Sequence, residues 1–245
     1  MTHMTNYPQG FPNGVSLRGM PVLNAYGGNL WWVSSTRGGD GNKGTRERPF
    51  ATLDYAIGRC TANNGDVIMV LPDHAETITG AGGITADIAG ITIIGMGNYN
   101  QRPRFLMDAG TTVSFLVSAA DVTVQNCVFA SGHADVVTCF DVTGKGFSSL
   151  QNEFVDNVVD ENFKSAIKFS STANTSDGAI VIGNRFVTPD AATLGFILAV
   201  DDIRDLVVQH NFVVSEGTGL ATMITCTTGK DLQFVDVRWN FLSSK

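Results

Sequence analysis

The stretch Val122-Thr123-Val124-Gln125-Asn126-Cys127-Val128-Phe129 decides the fold, because its ending returns along the chain. It comes back as Phe147-Ser148-Ser149-Leu150-Gln151-Asn152-Glu153-Phe154 and as Ile180-Val181-Ile182-Gly183-Asn184-Arg185-Phe186. Two later copies are Leu206-Val207-Val208-Gln209-His210-Asn211-Phe212 and Phe234-Val235-Asp236-Val237-Arg238-Trp239-Asn240-Phe241. The closing phenylalanines lie 25, 32, 26 and 29 residues apart. Ahead of each copy sits a second apolar run: Phe115 to Val117, Val137 to Val142, Ala166 to Phe169, Phe196 to Val200, and Met223 to Cys226. Each period therefore holds at least two short strands and two turns, with no helical spacing of apolar residues. Repeats of this length without helices are coils of a β-solenoid, in which one coil buries its apolar face only against the next. The pattern predicts an all-β chain wound as a single-stranded parallel β-helix of roughly five to seven coils.

The longest period carries the polar insertion Ser170 to Ala179, placed where a solenoid turn tolerates extra length. A β-sandwich also strings short strands between turns, but it does not explain an Asn/Phe ending that recurs in phase. The missing L-x-x-L-x-L spacing excludes a leucine-rich repeat. Gly90 to Gly97 fits an earlier coil with a degenerate ending. Asn at the turn is expected to supply left-handed backbone. Because it drifts by one or two positions relative to Phe, no single continuous asparagine ladder is expected.

Upstream, residues 30–245 read as the β-helix domain together with its opening strand and capping helix. Leu30-Trp31-Trp32-Val33 reads as a strand, followed by a polar glycine loop, Ser34 to Pro49. The spacing of Leu53, Ala56 and Ile57 puts them on one face of a short helix over 50–60, which would cover the first coil's open core. Asp66 to Leu71 reads as a buried strand closed by Pro72. Residues 1–29 differ in kind, being rich in Pro, Gly and Asn at first and then apolar. Disordered leaders rarely gather Tyr7, Phe11, Val15, Leu17, Met20, Val22 and Leu23 so closely. This stretch, with Arg18, is expected to be an extended anchoring arm laid on a partner.

The net charge of −7 argues against nucleic acid or an anionic membrane as the main partner. No apolar run approaches the ~18 residues of a membrane span, and no basic n-region with an apolar h-region opens the chain. Cys60, Cys127, Cys139 and Cys226 form no C-x-x-C pair, so buried thiols are expected in place of a metal site. Neither metal nor cofactor is implied.

The string Gly39-Asp40-Gly41-Asn42-Lys43-Gly44-Thr45, then Pro49 to Ile57, then Gly65 to Val70 with Pro72, His74, Glu76 and Thr77, resembles the start of pectin-lyase-like right-handed β-helix proteins. Within that superfamily the chain is most similar to bacteriophage structural proteins that carry an arm like Tyr7-Pro8-Gln9-Gly10-Phe11-Pro12-Asn13-Gly14-Val15-Ser16-Leu17-Arg18-Gly19. The resemblance covers nearly the whole chain. It implies a right-handed helix and a homotrimer in the virion, assembled in the host cytoplasm and attached to the major capsid protein or another virion protein. The expected role is a non-enzymatic capsid decoration or cement protein. The alternative is a short tail spike or adhesin that binds host glycan, with or without cleaving it.

Because such folds include polysaccharide hydrolases and lyases, converging carboxylates are the chemistry to look for. Asp201, Asp202 and Asp205 precede one repeat and Asp231 the next. Asp202 and Asp231 each lie 10 residues before the closing Phe, so they are expected to stack. If the chain is an enzyme, Asp201, Asp202 and Asp231 are its candidate catalytic groups, although Asp before a strand is ordinary turn chemistry. Asp156, Asp160 and Glu161 form a second acidic cluster. Lys164, Lys168 and Arg185 are possible lyase bases with no carboxylate-lined cation site beside them. His74, His133 and His210 stand singly. No Gly-x-x-x-x-Gly-Lys-Ser/Thr cradle and no Gly-x-Ser-x-Gly elbow occurs.

Overall fold

The computed structural model describes residues 15–17, 20–22, 27–72, 74–156, 162–169, 172–188, 194–215 and 222–244. In most repeats, alternate residues are buried and the intervening ones partly exposed, the signature of strands with one face on a core. Each of the six complete coils contributes three such strands. They stack in parallel with matched registers into three sheets, giving an all-β solenoid of about six turns whose topology fits a right-handed parallel β-helix. The first sheet has eight strands, from Leu30–Val33 to Asp236–Arg238. The second has seven, from Ala75–Ile78 to Phe241–Ser244, and the third six, from Ile84–Ala86 to Ile224–Cys226.

The core is a column of like side chains, because parallel registry puts each residue over its repeat equivalent. Phe105, Phe129 and Phe154 stack along the second sheet at 5.3 and 5.8 Å between ring centroids. Phe140 of the third sheet meets Phe129 edge-on at 4.8 Å. Cys127 and Cys139 are buried in this column as expected, and burial pushes the Cys127 thiol up to about 12. Cys60 and Cys226 are only half-buried.

The repeat ending departs from its expected phase. Phe129, Phe154 and Phe186 occupy one register, but Phe212 pairs with Arg185, and Val213 takes the place beside Phe186. Only Asn211-Phe212 and Asn240-Phe241 lack a residue between Asn and Phe. Alternation turns that one-residue slip into a change of side. Phe154 and Phe186 are core, whereas Phe212 and Phe241 face outward.

Asn, not Phe, marks the true phase, and the ladder that drifting spacing argued against is continuous over four coils. The backbone N–H of Cys127 donates to Asn152 Oδ1, that of Asn152 to Asn184, that of Asn184 to Asn211 and that of Asn211 to Asn240, all at 2.8–2.9 Å. Each amide Nδ2 donates to a carbonyl one coil back, at Val124, Ser149, Val181 and Val208. The left-handed residue in these four coils is the one before the ladder Asn: Gln151, Gly183, His210 and Trp239, with φ of 55–70°. Asn126 holds that position one coil earlier, at φ 58°.

The helix over the first coil is shorter than its expected span, Leu53–Ile57, and buries Leu53, Ala56 and Ile57. Of the arm residues, Val15, Leu17, Met20 and Val22 lie on two short strands, Val15–Leu17 and Met20–Val22, paired as an antiparallel ribbon. Tyr7, Phe11, Arg18 and Leu23 lie outside the described residues, as do Asp160 and Glu161.

Candidate functional site

The acidic candidates meet at the turn between the third and first sheets. Stacking of Ile203–Arg204 on Leu232–Gln233 brings the turn of one coil over that of the next. Asp202 and Asp231 come together as their equal spacing predicts, but through the backbone: the N–H of Asp231 donates to Asp202 Oδ1 at 2.9 Å. Asp201 Oδ1 accepts from the N–H of Asp202 at 2.8 Å and pairs with Lys230 Nζ at 2.7 Å. The Lys230 ammonium, helped by that N–H, holds the Asp201 carboxyl below its ordinary value, and Asp201 in turn raises Lys230. A general acid at neutral pH needs the opposite shift. One coil earlier, Asp177 Oδ1 accepts the N–H of Arg204 at 3.0 Å. Asp205 takes the left-handed position of its turn, with φ 56°. Asp177 and Asp202 thus each cap a backbone N–H of the next coil.

The His74/Glu76 motif is also built into the fold. His74 is buried; its Nδ1 accepts from the N–H of Ser35 at 2.8 Å, which leaves Nε2–H to donate to Glu76 Oε2 at 3.1 Å. Glu76 Oε2 also accepts the N–H of Leu53 at 2.9 Å, tying the first turn of the capping helix to the second sheet. Asp40 accepts from the N–H groups of Ala51 and Thr52 and from the Thr52 hydroxyl, at 2.8–3.1 Å. Asp66 is buried and accepts from Asn29 N–H at 2.6 Å, Thr61 N–H at 2.7 Å and Asn64 Nδ2 at 2.7 Å. Burial works against its charge, but these donors outweigh burial and hold its carboxyl below the usual range.

Two lateral hollows lie on the outside of the solenoid. The larger, about 380 Å³, is lined by Tyr99, Asn100, Arg102, Arg104, Val128, Glu153 and Val155. Glu153 bridges Arg102 and Arg185, the latter at 2.5 Å. The smaller, about 230 Å³, contains the pair Lys168–Asp141 at 2.8 Å. Lys164 reaches Asp135 at 3.7 Å on the same side of the coil. Sequence reading missed the Arg102–Glu153–Arg185 chain because its members are joined only by coil registry. Aligning the repeats on Asn would have put Glu153 and Arg185 side by side. Among the described residues no group of three or more His, Cys, Asp or Glu is placed to hold a metal ion, and no helix is long and apolar enough to cross a membrane.

No family model matches the chain, and no curated protein does. Among solved structures it is similar to a rhamnogalacturonan lyase at 13% identity and a TM-score of 0.45. The match covers 86% of this chain and 63% of that one, so the chain spans less than two thirds of the length of that structure.

Proposed function

We propose that the protein is a non-enzymatic structural component of a bacteriophage particle: a homotrimeric β-helix that decorates or cements the capsid and attaches through its N-terminal segment. The observation that carries the non-enzymatic part is the state of the acidic turn. Asp201 is tied to Lys230, and Asp202 accepts a backbone N–H, so the carboxylates that would do hydrolysis are engaged in stacking coils. The virion part is supported by the arm sequence from Tyr7 to Gly19. Locating the protein in a particle reconstruction tests it: density on the icosahedral shell is expected, and density on the tail alone would overturn the capsid role. Deleting residues 1–26, which keeps the bonds of Asn29 to Asp66, is expected to abolish attachment while leaving the circular dichroism of the β-helix intact. Release of reducing ends or unsaturated uronates from host polysaccharide, lost in Asp202→Ala, would overturn the non-enzymatic reading.

A second reading, a tail spike or adhesin that binds host glycan, is favoured by the larger hollow. There an exposed Tyr99 ring stands beside Arg102 and Glu153, offering a stacking platform next to hydrogen-bonding groups. Binding of purified host surface polysaccharide that Tyr99→Ala weakens at least tenfold would favour it.

A further inference from the structure

The last coil breaks the pattern of every earlier one at its two left-handed turn positions. Before the first-sheet strand, the earlier coils place Gly65, Gly90, Asp121, Gly146, Gly178 and Asp205, and the last places Phe234 at φ 55°. After that strand four of them use Asn126, Gln151, Gly183 and His210, and the last uses Trp239 at φ 55°. Left-handed backbone costs a residue with a Cβ about 1–2 kcal/mol, least for Asn and Asp. Local folding therefore gives no reason for Phe or Trp here. Both rings are solvent-facing, at 80% and 65% exposure, and are joined by outward-facing Phe241 at 52% and Phe212 at 40%.

Phe234, Trp239 and Phe241 belong to one coil, Phe234 before the strand Asp236–Arg238 and Trp239 and Phe241 after it, and Phe212 belongs to the coil before. Phe212 and Phe241 stack at 4.8 Å with planes 7° apart, and His210 stacks on Trp239 at 5.0 Å. The arginines that lie over these rings are paired. Arg185 lies over Phe212 and pairs with Glu153 at 2.5 Å, while Arg238 lies over Trp239 and pairs with Asp236 at 2.5 Å. In a chain of net charge −7, identical copies approaching here meet aromatic surface and neutralised cations. Scaled by their exposure, the four rings present roughly 400–500 Å² of aromatic surface. That is over half of the ~800 Å² that each partner gives to a standard interface.

We infer that this aromatic patch, centred on Trp239, Phe241 and Phe212 with Phe234 across the same strand, is the contact between copies of this chain packed side by side. The inference rests on the trimeric reading above and names the surface that makes the trimer. Burial on assembly compensates the backbone strain at Phe234 and Trp239.

The test is a variant that copies what other coils carry: Phe234→Asp, Trp239→Asn and Phe241→Glu together, with Trp239→Asn alone as a milder companion. Light scattering across a dilution series should give the wild-type chain three times its 26.1 kDa mass. The triple variant should run as a monomer with an unchanged circular dichroism spectrum. Trp239→Asn should raise the dissociation constant at least tenfold without lowering the monomer's melting temperature. A variant that stays trimeric overturns the inference and leaves the trimer standing on another face. If that variant has also lost binding to an array of bacterial surface polysaccharides, the patch belongs to a sugar. A monomeric wild-type chain removes the trimeric reading and the inference with it.

Discussion

The entry coil and the last described coil leave their cores in different states. At the N-terminal end, the first coil's open core is covered by the helix Leu53–Ile57, and the segments around it are fastened by carboxylate acceptors, buried Asp66 and half-buried Glu76 and Asp40. At the C-terminal coil, equivalents of core residues are uncovered. Val237 and Leu242 are exposed, whereas Val208 and Val213, one coil earlier, are buried. The difference shows where a repeat protein keeps its individuality. Interior coils are interchangeable, since each needs only neighbours like itself. The entry coil and the last described coil carry the side chains that depart from the repeat.

The largest expected effect separates interior from end through one residue type. Phe154 lies in the aromatic column with neighbours above and below, so Phe154→Ala should lower unfolding free energy by about 3–5 kcal/mol. Phe241→Ala, one slip out of phase on the surface, should change monomer stability by less than about 1 kcal/mol. Urea unfolding of both, at a concentration where the chain is monomeric, measures the contrast. Equal losses would mean that the outward placement of Phe241 is wrong.

Next in size is the fastening at the capped end. Asp66→Asn keeps the shape but removes the charge that three segments converge on, and should cost about 3 kcal/mol. The same carboxylate makes the capped end sensitive to acid. Its pKa is lower folded than unfolded, so its contribution is complete above the ordinary carboxylate value of about 3.9 and is lost as pH falls through the lower folded value. Stability of the wild-type chain should drop more steeply below about pH 4 than that of Asp66→Asn. Parallel acid titrations would sink the assignment of that slope to Asp66.

The coil repeat was legible because parallel stacking repeats the same chemistry at each level, and the Asn/Phe ending records it. Its exact phase was not, because Phe is the larger signal and Asn the true constraint. Phe can sit inside or outside after a one-residue slip, whereas the ladder Asn must meet a backbone N–H one coil away. The Asp202–Asp231 approach followed from equal spacing alone. That it serves a backbone N–H, and that Lys230 takes Asp201, depends on turn geometry that spacing does not encode. Phe234 and Trp239 were visible as residues, but their strain appears only once the turn positions of all coils are superposed.

The ladder offers the finest form of the end-against-interior comparison, since the same residue type makes the same bonds at both places. Asn211 is buried, and its Oδ1 accepts from both the backbone and the side chain of Asn184 at 2.9 and 3.0 Å. Removing it strands a buried N–H with no water to replace the partner, so Asn211→Ala should cost about 2 kcal/mol. Asn240 makes the equivalent bonds to Asn211 at 2.8 and 3.0 Å but is only half-buried. Water can reach the donor it leaves, and Asn240→Ala should cost under about 1 kcal/mol in the monomer. If packing between copies shields the last coil, that gap should close as the chain assembles. The Asn240→Ala loss, measured by thermal unfolding, should then grow with protein concentration while the Asn211→Ala loss stays constant. A loss at Asn240 that is independent of concentration would show that assembly leaves this turn open to water.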